Sequence, residues 1–175
     1  ANCRSHDDSK IALYYTSERF GADGVKTKTF GQLRERVRRL AASLAAAGVK
    51  EGDRVGGYIP NCPEAIEAMA ATASLGAVWS STSPDFGVSG VLDRFSQIRP
   101  KVVFSVEAVS YNLKTHDHLA KLSQVVNELD SVEKVVVIPF IHEKQNIDLG
   151  QIKHSIFLDD FLELGKNEDG SYPEL

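Results

Sequence analysis

The sequence predicts an α/β fold on a mostly parallel sheet, and three observations predict it. KVVFSV (101–106) and KVVVIPF (134–140) are continuous apolar runs rich in β-branched residues. Strands that read this way, instead of alternating apolar and polar, are covered on both faces, as parallel strands are. Between them LAKLSQVVNEL (119–129) repeats apolar residues at helical spacing, so strand and helix alternate. The connections are short, and crossovers of this kind are right-handed. At 175 residues, 42% apolar and 25% charged, the chain fits one domain and can bury a core.

The elements follow in order. KIALYYTSE (10–18) reads as a strand and ERFGADGVKTK (18–28) as a turn-rich excursion. Thr29 and Gln32 have the spacing of a capping box, which opens a helix by satisfying two free backbone N–H groups. Leu33, Val37, Leu40 and Leu44 form its apolar stripe, and Gly48 ends it because glycine takes the left-handed cap without strain. KEGD (50–53) turns into a strand, RVGGYIP (54–60). Asn61 or Cys62 caps a second helix with Pro63 at its start, where a missing N–H costs nothing. That helix runs to Gly76, and AVWS (77–80) is expected as a short buried strand. A third helix spans about Gly87 to Ile98 and stops before Pro100. A short helix is expected at DDFLELG (159–165), its Asp159–Asp160 pair reading as caps, and GKNEDGSYPEL reads as a linker. The organisation expected is an entry of strand and turns at 1–28, an α/β core at 29–140, and a polar tail and linker at 141–175.

Composition and missing motifs exclude several functions. The net charge is −4, so no basic field attracts nucleic acid, and Arg34, Arg36, Arg38 and Arg39 are read as a solvated helix face. GVSG (87–90) has only the spacing of an RNA-binding GXXG clamp and no basic neighbours. Cys3 and Cys62 have no CxxC partner, which fits a reducing compartment, and no apolar run is long enough to cross a bilayer. A cytosolic protein without membrane insertion is expected. His116 and His118 in THDH are read as solvated polar residues, and no metal ligand set is assigned. The loop NCPEA after the strand at 54–60 has no glycine, and neither GxxxxGK[ST] nor GxSxG occurs. Hydride transfer and serine hydrolysis are therefore disfavoured. In parallel α/β sheets ligands sit beyond the C-terminal strand ends, so WSSTSPDFG (79–87) is the loop to inspect.

GDRV, a strand, and a helix leading to LGAV form a pattern shared by acyl-CoA synthetases, luciferases and peptide-synthetase adenylation domains. WSSTSPDFG followed by VLDRFSQIRPK, then KVVVIPF, NIDL and FLDDFL, is narrower. On these segments the chain resembles the acetoacetyl-CoA synthetases of the acyl-adenylate-forming superfamily. The resemblance implies a layered, Rossmann-like subdomain, the N-terminal part of an acyl-CoA synthetase large domain. It implies a ligase that joins acetoacetate, ATP with Mg²⁺, and coenzyme A through an acyl-adenylate.

In that family the lysine-ended phosphate loop and the mobile domain lie beyond the segments matched here. The expectation is thus an N-terminal fragment that works with the rest of the same polypeptide. Alone it is expected to be inactive, with no catalytic residue of its own and no tight binding of these ligands. By analogy, the loop at 80–87 and the segment SYNLK (110–114) border the coenzyme A nucleotide. Asp85 and Phe86 form its wall, Tyr111 lies against adenine or ribose, and Lys114 meets the 3′-phosphate as a flexible point charge. The bland reading gives Phe86 and Trp79 to packing, Lys114 to the solvated surface, and Asp93 and Arg94 to a helix surface or structural ion pair. Leu113 stands where that family usually has glycine. Alternatives are a non-catalytic binding module, another short-chain acyl-CoA synthetase, and a nicotinamide-dependent reductase.

Overall fold

The computed structural model describes residues 7–17 and 24–174. Its centre is a five-stranded, all-parallel sheet of β3 (Arg54–Tyr58), β4 (Val78–Thr82), β5 (Val102–Val106), β8 (Lys134–Ile138) and β9 (Ser155–Phe157). Their order is β4-β3-β5-β8-β9. Counted within the sheet this is 2-1-3-4-5, a doubly wound arrangement whose strand order reverses between β3 and β5. Two hairpins stand outside it. β1 (Ile11–Tyr15) pairs antiparallel with β2 (Lys26–Thr29), and β6 (Ala108–Tyr111) pairs with β7 (Lys114–Asp117).

Helices cover both faces. α1 (Phe30–Ala46), α2 (Pro63–Ser74) and α5 (Leu158–Glu163) pack on one face, where Leu40, Leu44, Ala68, Ala71 and Phe161 meet Val55, Val102, Phe104 and Val136. α3 (Val88–Ile98) and α4 (Leu119–Asn127) cover the other, where Val91, Phe95, Leu122 and Val125 meet Val103, Val135 and Val137. Successive β5 and β8 residues thus enter opposite cores, which explains their continuous apolar runs. The capping box forms: Gln32 N donates to Thr29 Oγ1 at 3.2 Å and Thr29 N donates to Gln32 Oε1 at 2.9 Å. Cys62 is the N-cap of α2 with Pro63 behind it, but makes no side-chain cap bond.

Several expectations are corrected. The strand at 77–80 is not buried: β4 is an edge strand, paired only with β3 within the sheet, and Val78 is 50% exposed. The turn-rich reading of 18–28 misses β2, while residues 18–23, like Cys3, lie outside the described residues. The segment SYNLK is a hairpin tip. The arginines of α1 are not a solvated face. Arg36 pairs with the fully buried Glu67 at 3.1 Å, Lys28 pairs with the same carboxylate, and Arg38 and Arg39 both hold Glu35. In the segment read as a linker, Tyr172 returns to the domain. Its hydroxyl donates to Leu162 O at 3.0 Å and its ring lies 5.3 Å from the Arg39 guanidinium.

Candidate functional site

The strand-order reversal leaves a gap above the C-terminal ends of β3 and β5, and a cleft of about 420 Å³ opens at that end of the sheet. Three segments line it: Ile59–Asn61 after β3, Ser81–Asp85 at the end of β4 and beyond, and Val109–Tyr111 in β6. Each is positioned by its strand. Ile59 N donates to Thr82 O at 3.1 Å, which zips the first two segments together just past the sheet. The β6–β7 hairpin follows β5 directly and brings the third across.

The loop after β4 is a tight turn made by its own polar groups. Ser83 Oγ donates to Asp85 Oδ2 at 3.0 Å, Asp85 N returns a bond to Ser83 Oγ at 3.2 Å, and Phe86 N donates to Ser83 O at 3.1 Å. Of the hydroxyls in this stretch, Ser83 is therefore the one that shapes the loop. Gly87 then caps α3 without a side-chain bond. Gly90 keeps room for Phe86, because a Cβ there would lie 3.3 Å from the phenyl Cδ1. The two glycines of GVSG thus serve a helix start and a packing contact.

The hairpin turn has an unusual backbone. Asn112 and Leu113 both have positive φ, 52° and 59°, between the paired Tyr111 and Lys114. A two-residue turn with positive φ at both positions matches the twist of the strands but favours Asn and Gly. Glycine would take the Leu113 backbone, at φ 59°, without the cost that a side chain adds. The Leu113 side chain is 89% exposed and does not line the cleft, so it leaves the site open.

Of the four residues singled out from sequence, Asp85 and Tyr111 come together in the cleft lining. Lys114 is exposed and sits opposite Tyr111 in the hairpin register, close to the cleft but not lining it. Phe86 turns toward α3. The Arg94 guanidinium lies over its ring at 4.4 Å while donating to Gly90 O at 2.9 Å. Arg94 thereby acts in a cation–π contact instead of an ion pair with Asp93. Trp79 packs beside Phe104 and over Gly57, where a Cβ would approach the indole Cζ2 to 2.6 Å.

Sequence reasoning missed Asn61 in the lining, did not single out Thr82 within its loop, and missed the groups beneath. Thr82 Oγ1 is buried without a partner. Tyr58, fully buried at the end of β3, donates its hydroxyl to Phe86 O at 2.7 Å. Burial, helped by the Asp85 charge, pushes the Tyr58 phenol pKa up, so the hydroxyl stays a donor. His118 is the second correction. Instead of being solvated it is 1% exposed, and its ring meets Tyr58 edge-on at 4.3 Å. Burial and then repulsion from Lys121 push its pKa down to about 4, so the imidazole is neutral. His116 is exposed in β7, and no group of three His, Cys, Asp or Glu residues gathers as a metal site among the described residues. Cys62 is buried, and that burial pushes its thiol up to about 12, which makes it inert as a nucleophile.

Beneath the hairpin, Glu107 is 2% exposed and its carboxylate accepts three backbone N–H groups, from Phe140 and Ile141 at 2.6 Å and His142 at 2.7 Å. This ties the loop after β8 to the start of β6. The cleft presents polar groups and one flat ring, that of Tyr111, to its interior. It gathers no nucleophile–base pair.

The comparisons with known proteins agree with this architecture. Acetoacetyl-CoA synthetase of Macaca fascicularis is 54% identical over 94% of this chain and 24% of its own length. The enzyme of that name from Danio rerio is 55% identical over 93% of this chain and 24% of its own length. The solved acetoacetyl-CoA synthetase from Streptomyces lividans superposes with a TM-score of 0.79 at 34% identity, over 95% of this chain and 24% of that one. The chain thus spans about a quarter of the length of the relatives it matches. Residues 1–160 match the family described as AMP-binding enzyme, and the chain belongs to that family.

Proposed function

We propose that the chain is the coenzyme A-facing part of an ATP-dependent acid–thiol ligase acting on acetoacetate. The observation that carries the reading is the cleft at the strand-order reversal, where Asp85 and Tyr111 from separate segments converge, in a chain of this family. The names of its relatives supply the acid.

A carboxylate oxygen is a poor leaving group, and transfer of AMP from ATP, with loss of pyrophosphate, replaces it with a good one. The thiol of coenzyme A then attacks the acyl carbon, AMP departs with the bonding pair, and acetoacetyl-CoA forms. Magnesium supplies charge neutralisation on the ATP phosphates when bound. The described residues do not gather a ligand set for it, so no step is assigned to a metal here. This chain's residues serve the second step. Tyr111, 69% exposed at the cleft rim, offers a flat face for adenine or ribose. Lys114, one cross-strand position away, offers a point charge for the 3′-phosphate. The segment Ser81–Asp85 forms the facing wall.

The test is made on the complete ligase that contains this chain. Acetoacetate should drive exchange of labelled pyrophosphate into ATP at least tenfold better than acetate, and coenzyme A should then release AMP. Preference for acetate would assign the chain to an acetyl-type ligase. No exchange with any short acid would sink the reading.

A further inference from the structure

The two walls of the cleft are joined below its floor. The joint starts at Tyr58, which is fixed from three sides: its backbone pairs in β3, its carbonyl accepts Ser105 Oγ at 2.8 Å, and its ring meets His118 at 4.3 Å. The remaining polar atom, the phenol oxygen, reaches 28 residues along the chain to the carbonyl of Phe86 at 2.7 Å. Its partner is a loop backbone group, so the contact sets where the main chain runs, whatever the Phe86 side chain does.

His118 belongs to the other wall. It follows β7 directly and heads α4, and its N–H donates to Glu107 O at 2.8 Å, at the root of the hairpin. Its Nε2 is buried without a partner. A buried imidazole with an unsatisfied nitrogen is costly, and the contacts it makes in return are both with Tyr58, a hydrogen bond to its backbone and the edge-on ring contact. From the same helix Lys121 Nζ extends to Pro84 O at 3.5 Å, a second and longer tether on the same loop.

We propose that Tyr58, braced by His118, is the positioning residue that holds the 83–87 loop against the β6–β7 hairpin and so sets the width of the coenzyme A cleft. Tyr58 does not line the cleft, so its effect on the ligand passes through the loop. The proposal rests on coenzyme A occupying this cleft.

Tyr58→Phe removes one oxygen and keeps the ring, so the contact with His118 and the β3 pairing persist. In the complete ligase the KM for coenzyme A should rise about five- to tenfold, as expected when one hydrogen bond is lost from a positioned loop. Pyrophosphate exchange, which precedes coenzyme A, should change less than twofold and doubles as a check on folding. Lys114→Ala is measured alongside. If Lys114→Ala raises the KM and Tyr58→Phe does not, the positioning role is overturned while the cleft assignment stands. If neither variant moves the KM, coenzyme A lies elsewhere and both ideas fall. A parallel loss of exchange and thioester formation in Tyr58→Phe would reduce Tyr58 to a general fold contact and overturn the proposal.

Discussion

The two ends of the parallel sheet differ in how they satisfy their polar groups. At the N-terminal ends of the strands Lys101 and Arg54 tie the turns together. Gly48, Gly52 and Gly76 take positive φ, 83°, 81° and 69°, and so do Arg99 before β5 at 50° and His154 before β9 at 57°. Lys101 Nζ donates to Gly48 O at 2.8 Å and lies within 4 Å of carboxylate oxygens of Asp53 and Glu133. The Arg54 guanidinium donates to Ile98 O at 2.6 Å and Arg99 O at 3.1 Å, stitching the end of α3 to β3. At the C-terminal ends the left-handed turn positions are Asn112 and Leu113. The buried side-chain atoms without a partner, among the described residues, are Glu64 Oε2, Thr82 Oγ1 and His118 Nε2, and all three lie at this end. Left-handed non-glycine residues occur at both ends, whereas the unpaired buried polar atoms among the described residues gather at the C-terminal one. Such violations cluster where a protein holds a ligand.

Three substitutions break or sharpen that contrast. The largest effect is expected from Glu107→Gln, the anchor that lets the C-terminal end tolerate its irregularity. The amide sets an NH₂ against backbone donors and removes the charge, so urea unfolding should show a loss of about 3 kcal/mol, with a raised KM for coenzyme A. Lys101→Ala acts at the other end and should cost about 2 kcal/mol, because a charged donor to a carbonyl is lost. The coenzyme A KM should stay at its parent value, and a change there would erase the distinction between the two ends. The smallest effect belongs to Leu113→Gly. It relieves a left-handed leucine at an exposed tip and should stabilise by about 0.5–1 kcal/mol, after the extra chain entropy of glycine is subtracted. A loss of stability would mean that leucine is held there by a favourable contact.

The contrast also explains what could be read from the sequence. The closed end and the core followed ordinary rules. The β-branched runs of β5 and β8, the Thr29–Gln32 capping box and the glycine at position 48 all behave as their chemistry dictates. The elements that were missed lack such a signature. Every residue of β7 is exposed, and the hairpin turn has leucine where glycine would have announced it. β9 is three residues long, too short for any periodicity. β4 was misread because Ala77 to Ser80 resembles a buried strand, although only β3 covers it along the sheet.

At the site the outcome divides the same way. The loop after β4 was pointed to by the rule that ligands sit beyond strand C-termini, and Asp85 and Tyr111, named by analogy with the family, were found in the cleft lining. Phe86 was not, because the space left by Gly90 and the charge on Arg94 draw its ring to α3. Tyr58 and His118 looked like an ordinary core residue and an ordinary loop residue. Their joint role depends on a contact across 60 residues that no local pattern encodes.

The most direct test of the account is amide hydrogen exchange of the complete ligase with and without saturating coenzyme A. The account predicts slowed exchange in two separate stretches, the amides of 81–87 and those of 109–113, appearing together. Saturated binding with both stretches unchanged would contradict it and place the nucleotide elsewhere.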